Sequence, residues 1–366
     1  MVRAMQPFTW RSESDDPRPH KLAIVDDRVT ADTALRRVRR GEYLVYAGDF
    51  HNARQLLGAM GRRLERISSG RTPLEAFRSE RKGRQQEHET LSRIVVTLDK
   101  NYALSMGRSP DVAEACRWVW GAPPDEDTLV PLKTLLGVLG AAEWRRKGLS
   151  VPGLEGALHP HYGVYLPTRT DYLELLLEVP RTEFAGKRII ECGTGTGVLS
   201  FLLLQRGAAS VVATDLDSRA LGCARDNAKL LGLAGQFQAV EADVFPDGRA
   251  DWIVSNPPWI PEPPKNRMDR AVFDPASHFL ERYLSELSAH LEPGGKALLF
   301  LSNLAVHLGL RPATWLAEQF EKHALDVTWT RITRARHAKA KDAKDPLHSA
   351  RSREVTTLYC LTPKEG

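Results

Sequence analysis

The sequence predicts an α/β fold in which a mainly helical N-terminal domain precedes a mostly parallel sheet with helices on both faces. Three observations point to this fold. An apolar run, Arg188–Cys192, passes directly into a glycine-rich turn and then into a helical segment, Val198–Gln205. Later apolar runs of strand length alternate with helical segments and end at polar residues, which is typical of parallel sheets. Before Gly153, apolar residues recur mainly at helical spacing.

The N-terminal domain is predicted to extend over residues 1–153. Leu22–Val25 and Tyr43–Tyr46 are predicted as short strands on either side of a helix that Thr30 would cap. Apolar residues in Leu91–Leu98 fall on one helical face, and a second helical stripe follows Pro131. We expect this domain to recognise the substrate, and residues 154–366 to form the catalytic domain.

Composition excludes several classes of protein. With 366 residues, 42% hydrophobic and 27% charged, the chain can bury two domain cores. Its polar opening residues lack the apolar centre of a signal peptide, and no apolar run is long enough to span a bilayer. We therefore expect a cytoplasmic protein with no membrane partner. The four cysteines are widely spaced and the histidines of His159–His161 have no further ligands at metal spacing, which predicts neither disulfides nor a metal.

The glycine-rich turn is the first candidate ligand site. Gly193, Gly195 and Gly197 follow the strand and would bring backbone close to a ligand. The dinucleotide fingerprint G-x-G-x-x-G requires a further glycine where this chain has Val198, so nicotinamide binding is disfavoured.

Acidic residues end the next two predicted strands. Asp215 ends the second strand, where a carboxylate could accept both hydroxyls of a ribose, while Asp217 is predicted to cap the following helix. The third strand ends at Glu241–Asp243, and Asp243 could accept from an adenine amino group.

The fourth strand, Trp252–Val254, leads into Asn256-Pro257-Pro258-Trp259. Two consecutive prolines have no N–H to donate, so this peptide cannot continue a ladder and turns its acceptors outward. The Asn256 Oδ1 and the Pro257 carbonyl could hold the two hydrogens of a planar NH2 group while Trp259 stacks on it. Such a tetrapeptide alone is more often a turn, and its functional interpretation depends on the pattern upstream.

Together these residues resemble the class I S-adenosyl-L-methionine-dependent methyltransferases over roughly residues 160–362. The resemblance implies a Rossmann-like seven-stranded sheet with an antiparallel final strand. The tetrapeptide Asn256–Trp259 matches the NPPY-type signature of the branch that methylates adenine or guanine amino groups and glutamine amides. The resemblance assigns cofactor contacts to Glu191, Gly193, Gly195, Gly197, Asp215, Leu216, Asp243, Val244 and Asn256, and catalytic contacts to Asn256, Pro257, Pro258 and Trp259.

A segment ahead of the first of these strands, Pro167-Thr168-Arg169, resembles the proline–arginine stretch of release-factor methyltransferases. This resemblance implies that Tyr165, Thr168 and Arg169 lie at the rim of the substrate pocket.

The acceptor has several candidates. Val254–Pro261 resembles the V-S-N-P-P-Y-I-P stretch of release-factor glutamine methyltransferases, so our leading hypothesis is a glutamine amide of a release factor or ribosomal protein. The alternative is a base amino group in ribosomal or transfer RNA, which a basic loop at residues 331–353 could grip through phosphates. A small-molecule N-methyltransferase and an inactive binding module are further alternatives, and the retained Glu191, Asp215, Asp243 and Asn256 argue against the last.

Overall fold

The computed structural model describes residues 7–13, 16–64, 70–165, 169–336 and 338–364, and these fall into two compact units. The first contains the described residues of Met1–Ser69 together with Arg78–Glu143, and the second contains Gly70–Phe77 and Trp144–Gly366. The predicted boundary after Gly153 therefore lies inside the second unit. Residues 70–77 belong to that unit because Ala76 and Phe77 are buried in one of its apolar clusters.

The first unit is built around a five-stranded sheet with the order β1-β5-β4-β3-β2. The strands β2, β3 and β4 are parallel, and β5 runs antiparallel to β4. The predicted strands β2 and β3 are confirmed, and Thr30 caps α1 by accepting from the Thr33 N–H at 3.3 Å. The strands are β1 (Phe8–Trp10), β2 (Leu22–Val25), β3 (Tyr43–Tyr46), β4 (Ile94–Leu98) and β5 (Asp127–Pro131). The helices that begin in this part of the chain are α1 (Ala31–Arg39), α2 (Phe50–Arg63), α3 (Pro73–Leu91), α4 (Ala113–Trp120) and α5 (Leu132–Lys147).

The predicted helix over Leu91–Leu98 is wrong. Leu91 ends α3, and Ile94–Leu98 is β4, which lies between β3 and β5. The sheet buries Ile94, Val95, Val96 and Leu98. A short apolar run that is buried on both faces fits helical and strand spacing alike, and its β-branched residues favour the strand. The first unit is thus an α/β unit organised by a sheet, although helices contribute more of its residues than strands do.

The second unit contains a seven-stranded sheet with the order β10-β9-β8-β11-β12-β14-β13 and a short β6–β7 pair. The strands are β6 (Leu149–Ser150), β7 (Ala157–Leu158), β8 (Arg188–Cys192), β9 (Ser210–Asp215), β10 (Phe237–Glu241), β11 (Ala250–Ser255), β12 (Leu291–Ser302), β13 (Leu325–Arg334) and β14 (Val355–Pro363). The helices are α6 (Asp171–Leu177), α7 (Val198–Gln205), α8 (Ser218–Leu230), α9 (His278–His290), α10 (Leu304–His307), α11 (Trp315–Lys322), α12 (Ala338–Lys341) and α13 (His348–Arg351). Short 3-10 turns occur at Arg181–Glu183, Met268–Ala271 and Pro275–Ser277.

This sheet confirms the predicted Rossmann-like architecture. The last strand, β14, pairs antiparallel with β12 and with β13, and the remaining neighbours in the sheet are parallel. The chain order reverses between β8 and β11, which are adjacent, and ligands of open α/β sheets bind at the carboxyl ends of the strands beside such a switch point. The strand β12 begins at Leu291, which pairs with Ala250 ahead of a register shift between Ala250 and Trp252.

Apolar layers cover both faces of this sheet and hold the strand ends in place. On one face, Leu173 and Leu176 of α6 and Phe201 and Leu202 of α7 pack in a large buried cluster. On the other face, the buried side chains of α9 include Leu284. Burial of each such side chain stabilises the fold by roughly 1.5–3 kcal/mol. No helix in the described part of the chain is both long and apolar enough to cross a membrane.

Candidate active site

A cavity of about 470 Å³ lies at the carboxyl ends of β8, β9 and β11. Its size is in the range of small-molecule and cofactor pockets. Gly197 and Asp243 do not line it, and Thr168 lies outside the described residues. The predicted site residues in its wall are Tyr165, Arg169, Glu191, Gly193, Gly195, Asp215, Leu216, Val244, Asn256, Pro257, Pro258 and Trp259.

The turn after β8 requires glycine for two different structural reasons. Gly195 has a φ of +53°, and a Cβ built on it would meet no other atom within 4 Å, so its backbone is open to a ligand in the cavity. Gly197 has a φ of +87°, and a Cβ there would lie 2.4 Å from the Phe201 ring. Gly197 therefore allows the turn to pack against α7, while Gly193 and Gly195 line the cavity.

Glu191 is a buried carboxyl group in the cavity wall, with only 1% of its surface exposed. Its Oε2 accepts hydrogen bonds from the hydroxyl groups of Thr194, at 2.7 Å, and Ser200. Burial disfavours the carboxylate more than these hydrogen bonds stabilise it, and raises the pKa of Glu191 to about 7. A cationic ligand beside this group would favour its ionised form.

Asp215 joins the end of β9 to the glycine-rich turn. Its Oδ2 accepts from the Gly195 N–H at 3.0 Å, and its Oδ1 accepts from the Asp217 N–H at 2.9 Å. Burial raises the pKa of Asp215, and these backbone hydrogen bonds offset part of that effect. Asp217 caps α8 by accepting from the Arg219 N–H at 2.9 Å, as the sequence predicted. The two backbone hydrogen bonds thereby fix the Asp215 carboxylate in the cavity wall.

The end of β10 leads to Asp243, the predicted contact to adenine. The carboxylate of Asp243 forms an ion pair with Arg282 of α9 rather than lining the cavity. Its neighbour Val244 does line the cavity, with a φ of +74° that is unusual for a β-branched residue. The Thr214 hydroxyl donates to the Val244 carbonyl at 2.6 Å and holds this strained turn against β9.

The Asn256–Trp259 turn begins directly after β11. The Ser255 hydroxyl donates to the Cys192 carbonyl at 2.8 Å and ties the ends of β11 and β8 together. The Asn256 Oδ1 is buried and accepts no hydrogen bond from the described residues. An unsatisfied buried acceptor of this kind costs roughly 1–3 kcal/mol, and a ligand N–H in the cavity would recover that free energy.

Arg169 forms the rim of the cavity next to Trp259. Its guanidinium donates to Asp171 Oδ2 at 2.9 Å and to Glu354 Oε1 at 2.8 Å, and its Cζ lies 5.3 Å from the centroid of the Trp259 ring. Burial lowers the pKa of Arg169, yet the hydrogen bonds and charges of Asp171 and Glu354 outweigh that effect and raise it. Tyr165 also lies at this rim and is 37% exposed. Arg169 is therefore a permanently charged and firmly held part of the rim.

A loop after the Asn256–Trp259 turn forms another part of the wall. The Ile260 N–H donates to the Val272 carbonyl at 3.0 Å, and the Asp274 N–H donates to the Ile260 carbonyl at 2.8 Å, so the loop closes on itself. Its 3-10 turn, Met268–Ala271, lines the cavity together with Arg267, which pairs with Asp217 at 3.7 Å. Sequence patterns did not indicate this contribution, because it depends on backbone pairing across the loop.

Sequence reasoning also missed two buried residues at the site. Tyr172 lines the cavity from α6, and Glu354 contacts Arg169 from a position 185 residues further along the chain. For Tyr172 the only signal was its place beside the predicted rim segment. For Glu354 there was none, since the pairing depends on β14 lying beside β12.

Comparison with known proteins identifies the family. The family model for the methyltransferase small domain matches residues 155–327. A candidate protein N5-glutamine methyltransferase of Methanocaldococcus jannaschii is 30% identical over 164 residues, which is 43% of this chain and 80% of that protein. The release factor glutamine methyltransferase of Deinococcus radiodurans is 33% identical over 247 residues, which is 61% of this chain and 82% of that protein. The chain belongs to the family of S-adenosylmethionine-dependent methyltransferases.

Two further similarities accompany this family assignment. The ribosomal RNA small subunit methyltransferase C of Chromohalobacter salexigens is 35% identical to this methyltransferase over 206 residues, covering 54% of this chain and 53% of that protein. Among solved structures, the ribosomal protein L11 methylase of Lactobacillus delbrueckii subsp. bulgaricus is 16% identical with a TM-score of 0.40, covering 57% of this chain and 86% of that one.

Proposed function

We propose that this methyltransferase transfers a methyl group to the side-chain amide nitrogen of a glutamine in a translation protein, such as a release factor or a ribosomal protein. The observation that carries the proposal is the unsatisfied Asn256 Oδ1 in the wall of a cavity that Trp259 also lines. A primary amide supplies the N–H that this oxygen lacks and a flat face for the ring. Relatives named as glutamine methyltransferases, matched over about four fifths of their own length, support this acceptor.

The residues of the cavity fit S-adenosylmethionine as the methyl donor. That molecule carries a sulfonium and an ammonium group, and the cavity wall contains the acidic side chains of Glu191, Asp215 and Asp217. Gly193 and Gly195 would admit its methionine part close to the backbone, Asp215 would accept its ribose hydroxyls, and Leu216 and Val244 would flank its adenine. When bound, S-adenosylmethionine supplies a methyl group on a cationic sulfur that becomes neutral as the methyl leaves.

At the acceptor end, the protein mainly positions the reacting nitrogen. Asn256 Oδ1 and the Pro257 carbonyl would accept the two hydrogens of the amide NH2 and turn its lone pair out of conjugation toward the methyl. The nitrogen–carbon bond forms as the carbon–sulfur bond breaks, the electron pair stays on sulfur, and the extra proton of the nitrogen leaves to water. Holding the reactants together in a desolvated cavity lowers the barrier without a strong general base.

The test uses lysate from a strain that lacks this protein. Purified protein and S-adenosylmethionine with a labelled methyl group are added, and the product is divided between protease and ribonuclease. The proposal predicts label that protease releases and ribonuclease leaves intact. Label released by ribonuclease would replace the glutamine acceptor by an RNA base, and label in neither polymer would indicate a small-molecule acceptor.

Methylation of an RNA base amino group is the second candidate, and the basic segment 331–353 favours it. Several of its cations are already neutralised, because Arg331 pairs with Glu178 at 3.0 Å and Arg336 pairs with Glu174 at 2.9 Å. The exposed side chains of Arg334, Lys341 and Lys344 form no ion pair with any described residue, so they are available for phosphates. The similarity to a ribosomal RNA methyltransferase supports the same candidate.

A further inference from the structure

Glu354 is a buried carboxylate at the active site that the proposed reaction does not use. It directly precedes β14 and is 1% exposed. Its Oε1 accepts from Arg169 Nη1 at 2.8 Å and from the Ser302 hydroxyl at 3.0 Å. Glu354 therefore connects the rim of the cavity to the end of β12 and the start of β14.

Arg169 is fixed from two sides by this arrangement. Its planar guanidinium binds Asp171, two residues along the same segment, through both Nε and Nη2, and binds Glu354 through Nη1. Asp171 begins α6 and is therefore part of the same continuous stretch of chain as Arg169. Glu354 is the anchor outside that segment and the one that ties Arg169 to the sheet.

The fixed guanidinium lies against Trp259, with 5.3 Å from its Cζ to the ring centroid. A cation at this distance attracts an aromatic ring, and more strongly when both are shielded from water. The Arg169 side chain is 20% exposed, and the Trp259 Nε1 is buried without a hydrogen-bond partner among the described residues. The contact with Arg169 is thus one of the interactions that set the position of the ring.

We propose that Glu354 is a positioning residue for methyl transfer, which acts through Arg169 to hold the Trp259 ring where the acceptor stacks. The inference rests on the stacking role given to Trp259 in the proposed function. A small displacement of a positioning group lowers turnover strongly, by up to about 100-fold for about 1 Å. Glu354 would therefore affect transfer to the acceptor and leave cofactor binding unchanged, because it does not line the cavity.

The test is a double-mutant cycle with Glu354→Gln and Arg169→Met in the full chain. Glu354→Gln keeps an oxygen for Arg169 and Ser302 but removes the charge. Label transfer into lysate of the strain lacking this protein gives the rate, and calorimetric titration with S-adenosylhomocysteine gives cofactor affinity. Glu292→Gln is the matched control. Glu292 also pairs with an arginine, Arg188, at 2.6 Å, and neither residue lines the cavity.

We expect Glu354→Gln to lower the transfer rate by about 10-fold or more while the Kd for S-adenosylhomocysteine stays within about twofold. It should cause no further loss in the Arg169→Met background, and the control should transfer at the wild-type rate. Equal losses in the two backgrounds, an unchanged rate, or a parallel loss of cofactor affinity would each overturn the positioning role.

A second measurement needs no acceptor and so separates this inference from the proposed function. The measurement is the quenching of Trp259 fluorescence by acrylamide. The Trp259 signal is obtained by subtracting the fluorescence of a Trp259→Phe version from that of each protein. A ring released by Glu354→Gln should be quenched more readily than in wild type, and unchanged quenching would contradict the proposal even if glutamine is the acceptor. Should Glu354→Gln fail to fold, Ser302→Ala, which removes one hydrogen bond to Glu354, should raise quenching in the same direction, and no rise would count against the inference.

Discussion

The polar side chains at the carboxyl ends of β8, β9 and β11 differ in what they already bind. The carboxylate of Glu191 accepts from Thr194 and Ser200. That of Asp215 accepts from two backbone N–H groups. The Asn256 Oδ1 accepts from none of the described residues. The carboxylates therefore organise the cavity as well as line it, whereas the asparagine oxygen has no such role in the turn, and we propose that it binds the acceptor.

Asn256→Ala should separate binding from turnover. It removes the acceptor oxygen for the substrate NH2 but none of the hydrogen bonds that hold the glycine-rich turn. We expect the S-adenosylhomocysteine Kd to change by less than about threefold and the transfer rate to fall by about 100-fold or more, the scale seen when a polar group that acts in the transition state is removed. Calorimetry and label transfer check both values, with Asn101→Ala in the first unit as control. A variant that keeps its rate would exclude Asn256 from the reaction.

Glu191 should make stability fall as pH rises through weakly acidic values. Its pKa is about 7 in the folded protein against about 4.5 when exposed, so the folded state holds the extra proton between these values. The free energy of unfolding attributable to this group is present below about pH 4.5 and is lost as pH rises to about 7, by roughly 1–3 kcal/mol. Urea unfolding of wild type and Glu191→Gln at pH 5 and pH 8, without cofactor, measures the difference. Parallel pH profiles of the two proteins would contradict the raised pKa.

At the scale of elements, the strands that end at the site were predictable and the first-unit strand β4 was not. The runs at β8, β9, β10 and β11 are short, apolar and followed by glycine, acidic or proline residues, which fix where each strand ends. The segment Ile94–Leu98 has no glycine or proline before it, because only two residues separate it from the end of α3. The β-branched residues of this segment favour a strand, but its apolar residues also fit helical spacing, and the prediction followed the spacing.

The loop from Ile260 to Asp274 was beyond prediction for a different reason. Its position depends on a parallel bridge between Ile260 and Phe273 and on packing of Phe273 near Phe77, with ring centroids 6.4 Å apart. Neither contact has a local pattern. The segment Gly70–Phe77 is far from the catalytic strands in sequence, yet it belongs to the same compact unit.

Phe77→Ala should loosen this loop. Phe77 is buried in a cluster with Ile260, Leu308 and Leu347, and its truncation should lower the free energy of unfolding by about 3 kcal/mol. The loop would open more often, so trypsin should cut after Arg267 or Arg270 faster than in wild type. Phe50→Ala is the control, because Phe50 is similarly buried in the first unit. Unchanged cleavage at these arginines, with or without lost stability, would contradict a role for Phe77 in holding the loop.

At the scale of the whole molecule, the second unit contains every residue that lines the cavity. Its seven-stranded sheet followed from the family resemblance, since four strand ends in the right order identify the architecture. The first unit has no comparable motif, and three of its five strands went unpredicted because their order in the sheet depends on long-range pairing. Recognition of the substrate by the first unit stays a prediction.

The charge of the molecule offers a test of the RNA alternative. The net charge is only +5, so any strong attraction to RNA must come from local clusters such as segment 331–353. Replacing Arg334, Lys341 and Lys344 by Gln should reduce the slope of log K against log salt by about 2 to 3 units if all three contact phosphates. Filter binding of ribosomal RNA at several salt concentrations measures the slope. Replacement of the paired Arg331 and Arg336 serves as control, and an unchanged slope in the triple variant would remove the segment from RNA binding.

The most direct test of the account is the chemical identity of the methylated residue. Lysate of the strain lacking this protein is labelled with wild-type protein or with Asn256→Ala, and the labelled proteins are digested enzymatically to amino acids and separated by chromatography. Wild-type protein should produce labelled N5-methylglutamine, and Asn256→Ala should produce almost none. Label in another amino acid, or equal amounts of N5-methylglutamine from the two proteins, would contradict transfer to a glutamine amide held by Asn256.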